Sequence, residues 1–472
     1  MALNPRTIIV GSGPTGMSAA YHLDEDYLML ERDASVGGLN RSLSLNGFTF
    51  DYAGHIMFTN DEYAKAMFKK LVGSNVHYQA REAWCYQQGV HTLYPFQANT
   101  YGLPKQVIQE CVAGAVRAFL EYGEVDPKHF RDFKEWNRKT YGEGICKWFQ
   151  EPYNEKLWKV PLDSMSHEWL SGRVPKPKIE ELIQGALQPG IKNMGPNALF
   201  GYPLKGGFQA LVNGWRKLLD FEQIRTRQNV TSINVRDRTV TVNGKQQYEF
   251  RRLITTMPLP LLTRALEDAP EDVRAAGASL QWTSIQCVFI GLDRPHITDK
   301  HWIYYPERDL YFHRIFVQGN ASPYNNPTDK DGSPLGMAYI AEISYKDQPA
   351  ATGEVAIEKT LESLKKVGLM ADGDRVLAAQ EVRLPFAYVI PQWHKDAAVK
   401  TIKDYLVQHE IYTVGRFGEW AYYNSDHAIL SGKRAADTIK EKKMKHLTVS
   451  APAPITAPAA SARVRPAAVG RR

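Results

Sequence analysis

The sequence predicts an α/β protein whose parallel-sheet core is assembled from separated stretches of chain, with one helical and one antiparallel-sheet segment inserted between them. Three observations carry this reading. A strand, a glycine loop and a helix lie within the first 38 residues; residues 223–256 alternate in strand fashion; and a short apolar strand at 411–414 is followed by a helix. Helical periodicity fills the gap between the first two, and apolar or aromatic strand candidates fill the gap between the last two.

Thr7, Ile8, Ile9 and Val10 are apolar or β-branched and read as a buried strand. Gly11, Ser12, Gly13, Pro14, Thr15 and Gly16 follow at once, and residues 17–23 read as a helix. In a G-x-G-x-x-G turn the first glycine permits the tight turn and the second lets a pyrophosphate approach the backbone. The third lets the helix pack closely on the strand. Free N–H groups at the helix start attract the anion. A second apolar run, 27–30, ends in Glu31, twenty residues beyond Gly11, where a carboxylate can accept hydrogen bonds from a ribose. Strand, loop, helix, second strand and acid in this order predict a bound dinucleotide in a Rossmann-like domain.

Gly37-Gly38 precede an alternating segment at 48–52 that reads as a strand, and Gly54-His55 follow in a loop. Residues 107–121 have helical periodicity, 130–149 are a helical stretch rich in aromatics and charges, and 208–219 read as a further helix. The strands within 223–256 turn at Asn243-Gly244, and 253–257 read as a separate short strand stopped by Pro258 and Pro260. Residues 288–292 and 338–343 are strand candidates; Gly415-Arg416-Phe417-Gly418 follow the last strand, and 428–440 form a helix. The predicted dinucleotide domain thus has three parts, 1–99, 201–275 and 406–445. A helical flap domain occupies 100–200 and a sheet-rich substrate domain 276–405. Residues 446–472, rich in Ala and Pro with scattered Arg, read as a disordered tail.

At 472 residues the chain is long for one core, and its 43% hydrophobic and 23% charged residues are ordinary for a globular protein. No apolar stretch approaches the roughly 18 residues that span a bilayer. The first apolar run reads as a strand and not as a signal peptide. The net charge of +7 is confined to the end: from Lys440 onward there are eight Lys and Arg against one acid, Glu441. The preceding 439 residues therefore balance to zero, which argues against nucleic acid as a partner. The tail reads as a solubilising appendage, with a weak tether to an anionic surface as the alternative. Cys85, Cys111, Cys146 and Cys287 lie far apart without metal spacing and read as buried free thiols in a reducing, cytoplasmic compartment. Without a secretion signal, the sequon at Asn229 reads as silent. There is no GxSxG, HExxH or GxxxxGK[ST] pattern, no metal site is expected, and His301 and His313 read as structural.

Further motifs occur in a fixed order. They are Gly37-Gly38-Leu39-Asn40-Arg41-Ser42, Ala53-Gly54-His55, Tyr94-Pro95-Phe96-Gln97, and Pro152-Tyr153-Asn154 with Trp158. Gly195-Pro196-Asn197, Tyr304-Tyr305-Pro306-Glu307, Arg416-Phe417-Gly418-Glu419-Trp420 and Asp426-His427 follow. In these the chain resembles UDP-galactopyranose mutases, particularly their eukaryotic-type branch, within the flavin amine oxidase and protoporphyrinogen oxidase superfamily. The resemblance runs from about residue 6 to 440. The glycine fingerprint is common to many flavoproteins; Tyr-Pro-Phe-Gln and Pro-Tyr-Asn are the specific elements.

The resemblance implies FAD, with Gly11, Gly13, Pro14, Thr15 and Gly16 on its pyrophosphate and Glu31 on its adenosine ribose. Arg32, Gly38, Leu39, Val230 and Asp426 complete the implied cofactor set; Gly415 and Arg416 lie toward the flavin, and His55 against the isoalloxazine. It further implies that reduced flavin attacks the anomeric carbon of a nucleotide sugar through N5 as the nucleotide diphosphate departs. Opening and reclosure of the resulting adduct interconvert pyranose and furanose, UDP-galactopyranose to UDP-galactofuranose or a close analogue, for cell-surface glycan biosynthesis. NADPH or NADH would reduce the flavin.

A departing diphosphate needs cationic forks and phenols. The matching positions are Arg173, Arg314, Tyr304, Tyr388 and Tyr422, with His55, Arg173 and Arg314 as the implied catalytic set. Tyr94 or Phe149 would stack on a uracil-like base, Gln97 and Asn154 would read its edge, Trp158 would contact ribose or phosphate, and Asn197 the sugar. Two departures stand out. Ala321 occupies the position, seven residues after Arg314, where the family has a phosphate-binding tyrosine, and the segment between Trp420 and Asp426 is shorter than in eukaryotic enzymes. A missing hydroxyl weakens phosphate binding by about 1–3 kcal/mol, which leaves the sugar and base unassigned. The competing reading is an FAD-dependent oxidase or desaturase of the amine oxidase or protoporphyrinogen oxidase type, with a predominantly apolar cleft. A third is a catalytically silent flavin-binding scaffold. A homo-oligomer is compatible with the sequence and not specified by it.

Overall fold

The first apolar run forms the strand Arg6–Val10 at the centre of a seven-stranded sheet. It pairs in parallel with Tyr27–Leu30 on one side and Gln246–Thr255 on the other. Ile224–Arg225 lies parallel outside the former and Ile411–Thr413 outside the latter. The parallel core thus gathers strands from the start, middle and end of the chain. Ile8, Ile9, Leu28, Leu30, Leu253 and Ile254 are all buried, as expected where both faces of a parallel sheet are covered. On one face the helices Pro14–His22 and Ser425–Glu441 cross so closely that a Cβ on Gly432 would lie 2.2 Å from the Thr15 carbonyl oxygen. The computed structural model describes residues 6–170, 176–190 and 199–441, so Arg173, Asn197 and the expected disordered tail lie outside the described residues.

The separate strand expected at 253–257 is instead the second half of the continuous strand Gln246–Thr255. Its first half is antiparallel to Thr239–Val242 across the turn containing Asn243 and Gly244, and its second half is parallel to Arg6–Val10. Asn243 and Gly244 have φ of 53° and 69°, a left-handed backbone those two residue types tolerate. The helix expected over 208–219 is shorter, Gln209–Trp215.

A second seven-stranded sheet runs in the order Val376–Val389, Trp282–Leu292, Met337–Tyr345, Arg314–Phe316, Trp302–Tyr304, Ala83–Gln87, Val90–Leu93. Neighbours are antiparallel except Trp302–Tyr304 with Ala83–Gln87. Five strands come from the segment expected to be sheet-rich and two from residues 83–93. Along Trp282–Leu292 alternate residues face two different cores, Ile285, Cys287 and Phe289 in one and Val288, Ile290 and Leu292 in the other.

The helical insertion pairs Lys105–Tyr122 with Phe133–Ile145. A Cβ on Gly144 would lie 2.0 Å from the Glu110 carbonyl oxygen, so glycine is required for this approach. The helical stretch expected over 130–149 is broken at Gly142 (φ 79°, ψ 165°), followed by a π-turn at Cys146–Gln150 and the helix Glu151–Trp158. Such a turn shifts the angular phase of the residues after it, and here Phe149, Asn154 and Trp158 reach the wall of one large cavity. Among the described residues no helix is long and apolar enough to cross a membrane, and no group of His, Cys, Asp and Glu could hold a metal ion.

Candidate active site

The cavity, about 2050 Å³, is lined by both sheets and the helical insertion. One end is built from backbone. A Cβ on Gly11 would lie 2.0 Å from Thr256 Oγ1, and one on Gly38 would lie 3.1 Å from Gly13 Cα, so two glycine backbones face each other. The helix Pro14–His22 begins here with no side-chain cap on Gly13. The first-turn N–H of Thr15, which lines the cavity, lacks an intrahelical acceptor and suits an anion. Gly16 is absent from the cavity wall; its Cβ would lie 2.0 Å from the Gly11 carbonyl oxygen, so it serves packing. Glu31 accepts from the Ser12 N–H at 2.8 Å and hydroxyl at 2.6 Å through one oxygen, and from the Asp33 N–H at 2.9 Å through the other. It therefore holds the glycine loop as well as lining the cavity. Arg32, Leu39, Val230 and Asp426 line the same end, Arg32 beside Asp33 at the exposed rim and Asp426 paired with His427 at 2.8 Å.

Toward the middle, Gly415 has φ of 79° and its Cβ would lie 2.7 Å from Thr15 Oγ1. The Arg416 guanidinium lies over the rings of Tyr388 (4.9 Å) and Tyr422 (5.0 Å), and Nη1 donates to the Tyr423 carbonyl at 3.1 Å. Its Nε and Nη2 are buried with no hydrogen-bond partner among the described residues. Buried donors left unpaired are costly, so this site calls for acceptors from a bound group. His55 donates from Nδ1 to the Ala53 carbonyl at 2.9 Å and stacks on Phe208 at 4.9 Å. Burial holds its pKa below the ordinary value despite Asp51, which keeps the ring neutral.

The far end is built from side chains. Arg314 donates through Nε to Glu342 at 3.0 Å, through Nη2 to the same carboxylate, and through Nη2 to the Tyr388 hydroxyl at 3.1 Å. Fully buried Glu342 also accepts the Gly54 N–H at 3.1 Å, which ties Arg314 to the His55 loop. Burial works against the Arg314 charge, yet Glu342 and the surrounding tyrosines hold its pKa above the ordinary value. Burial likewise raises the Tyr388 phenol, against Arg314, so it keeps its proton.

Tyr94 and Tyr304 pack at 5.3 Å, and Phe149 is stacked with Phe96 at 4.8 Å and Tyr153 at 5.4 Å. Gln150 donates to Gln97 at 3.4 Å and Asn154 to the Gln150 carbonyl at 2.7 Å. The Trp158 indole N–H is engaged by Asn154 at 3.1 Å, which leaves the ring itself for any ligand contact. Tyr388 and Tyr422 stack at 5.8 Å. All the expected substrate positions within the described residues line this one cavity. Ala321 does not; it is fully buried, with its carbonyl accepting from Gln79 at 2.8 Å.

Three wall or support residues escaped the sequence reading. Arg81 donates to the Tyr304 hydroxyl at 2.8 Å, and no local pattern marks it. Tyr153 lies within a motif but was given no role. Glu342 had a signal, since it is the sole charge in the apolar strand Met337–Tyr345.

A glycine cradle at a helix start, an acid after the second strand and buried guanidinium donors without acceptors define a dinucleotide-binding flavoprotein of the two-sheet type. Residues 14–440 match the family model described as flavin containing amine oxidoreductase, and the chain belongs to that family. Its cofactor is FAD, and the cradle, Glu31 and the unpaired Arg416 donors fit it. Among solved structures it is similar to a reduced UDP-galactopyranose mutase, with 27% identity, TM-score 0.85, and 93% of this chain and 96% of that chain covered. It also shares its fold with a proposed protoporphyrinogen oxidase from Exiguobacterium sp. 255-15, at 15% identity and TM-score 0.70, covering 94% and 100%. Cyclohexylamine oxidase from Brevibacterium oxydans IH-35A aligns at 15% identity and TM-score 0.63, covering 93% and 99%.

Proposed function

We propose that this protein is a flavin-dependent sugar-nucleotide mutase that interconverts the pyranose and furanose forms of UDP-galactose or a close analogue. The observation that carries the reading is the far end of the cavity, where a partly buried Arg314 is braced by the fully buried Glu342 beside the Tyr388 hydroxyl. A charged fork and phenols suit a diphosphate, whereas an oxidase acting on a bulky apolar substrate has no use for them.

FAD, when bound and reduced, supplies the nucleophile for the anomeric carbon. The protein's own groups do the rest. Arg314 holds the diphosphate as its charge develops and keeps it for return, because its fork is fixed in advance by Glu342. Tyr388 accepts from Arg314 and still carries a proton to donate to a phosphate oxygen. The Tyr304 hydroxyl, which accepts from Arg81, would add a second phenol to that wall. With its Nδ1 proton on the Ala53 carbonyl, His55 offers Nε2 as an acceptor for a proton-bearing group. The aromatic walls of Tyr94, Phe149 and Tyr422 would exclude water, and Gln97 and Asn154 would read a base edge. Arg173 and Asn197 join this set on the family resemblance alone. NADPH or NADH is the proposed reductant, and the furanose product would serve cell-surface glycan synthesis. Four buried free thiols suit a reducing cytoplasm.

The test is anaerobic incubation of dithionite-reduced protein with UDP-galactopyranose and a panel of related sugar nucleotides. We expect a chromatographically distinct isomer of unchanged mass, formed only after reduction. Oxygen consumption by the oxidised protein with an amine, and no isomer, would establish the oxidase instead.

A further inference from the structure

We infer that Lys156 is a positioning residue: its side chain clamps the loop between Tyr304 and Arg314 onto the helix that carries Asn154 and Trp158, and so sets the width of the diphosphate end of the cavity. This rests on the mutase reading above. Lys156 Nζ donates to three main-chain carbonyls, Glu307 at 2.7 Å, Leu310 at 3.0 Å and Phe312 at 2.6 Å. An ammonium has three N–H donors and a neutral amine two, so the full clamp exists only in the charged state.

The geometry makes that clamp matter. Trp302–Tyr304 and Arg314–Phe316 are strands of three residues each, and Tyr304 stands directly across from Arg314. Each strand also has a partner on its other side, Ala83–Gln87 and Met337–Tyr345, but three residues give few ladder bonds. Tyr304 and Arg314 stand at the ends where residues 305–313 leave and enter, so what holds that loop bears on the pair. The Tyr311 N–H donates to Ser363 Oγ at 3.0 Å and Asp309 pairs with Lys366, both on the side of the neighbouring helix Gly353–Lys366. Lys156 reaches the same loop from the helix Glu151–Trp158. Among the described residues one other polar link joins that helix to the loop, an Arg308–Glu155 pair at 2.5 Å, exposed and therefore weak.

The clamp is also poised to titrate. Burial draws the Lys156 pKa down to about 7, with Lys159 adding to the shift and Asp309 and Glu307 opposing it. Further charged groups on the packed elements are the Arg308–Glu155 pair and Lys366, which is paired with Asp309; His313, at the end of the loop, is kept neutral by burial and by Arg314, Lys156 and Lys159. A depressed lysine pKa means that the ammonium is complete below it and is lost as pH rises through it. Diphosphate binding should accordingly loosen from pH 6 toward pH 9.

The experiment measures UDP dissociation constants by fluorescence, and KM and kcat for isomer formation, on reduced FAD-loaded full-length protein between pH 6 and 9. Wild type, Lys156→Met and Lys156→Arg are compared. We expect Lys156→Met to weaken UDP binding and raise KM about tenfold at pH 6, as a small misplacement of binding groups does, with flavin content retained. Lys156→Arg, charged throughout, should recover most of the affinity and flatten the pH dependence. Wild-type affinity and pH profile in both variants would overturn the inference. Should Lys156→Met fail to fold, a Lys156→Arg profile identical to wild type would overturn it alone. A wild type that binds no UDP at any pH would instead overturn the mutase reading, and the inference with it.

Discussion

The two ends of the cavity are built by different means. The cofactor end is backbone: a Cβ on Gly11 or Gly38 would press on its neighbours, Gly13 faces open space with only the Gly38 Cα within 4 Å, at 3.9 Å, and a helix start supplies N–H groups. The far end is side chain: Arg314, Glu342, Tyr388 and Tyr304 come from four different strands, with Arg314 bonded to Glu342 and Tyr388, and Tyr304 held by Arg81. A backbone site fails all at once when its space is filled. A side-chain site fails by degrees, according to how many partners each removed group leaves stranded.

Substitutions at each end test that contrast. Gly13→Val should have the largest effect, filling the cradle and reducing bound flavin to near zero by visible absorbance while far-UV circular dichroism is retained. Substantial flavin in that variant would break the contrast. Arg314→Met should retain flavin but lose about 10²–10³ in kcat/KM. It should also lose about 3–5 kcal/mol of stability in urea, because Glu342 is left buried and unpaired. Adding Glu342→Gln should restore much of the stability and none of the turnover, which separates bracing from catalysis. Tyr388→Phe is the mildest: removing one hydroxyl should weaken UDP by about 1 kcal/mol in a titration and leave flavin content alone.

The same contrast explains what could be read from the chain. The glycine loop was legible because its residues are consecutive and each glycine answers a local steric demand. The parallel core was legible as apolar runs, and the Asn243-Gly244 turn by its residue types. The continuity of Gln246–Thr255 was not, because a strand that changes partners halfway has no local mark of it. Nor was the break at Gly142, where the demand comes from the facing helix: a Cβ there would lie 2.2 Å from the Gly114 carbonyl oxygen. At the far end, Tyr94 and Asn154 were legible through motifs and Arg314 through the family resemblance, and none of them through any periodicity. Arg81 lies outside every motif, and its place beside Tyr304 depends on the parallel pairing of Ala83–Gln87 with Trp302–Tyr304.

The claim that this cavity releases and recaptures a diphosphate can be examined at the bond itself. UDP-galactopyranose labelled with heavy oxygen at the bridge between sugar and phosphate, incubated with the reduced protein, should be recovered with label scrambled into the non-bridging positions of the β-phosphate, and no scrambling should occur with oxidised protein. Recovered substrate with every label still in the bridge, from reduced protein that demonstrably binds UDP, would contradict the account.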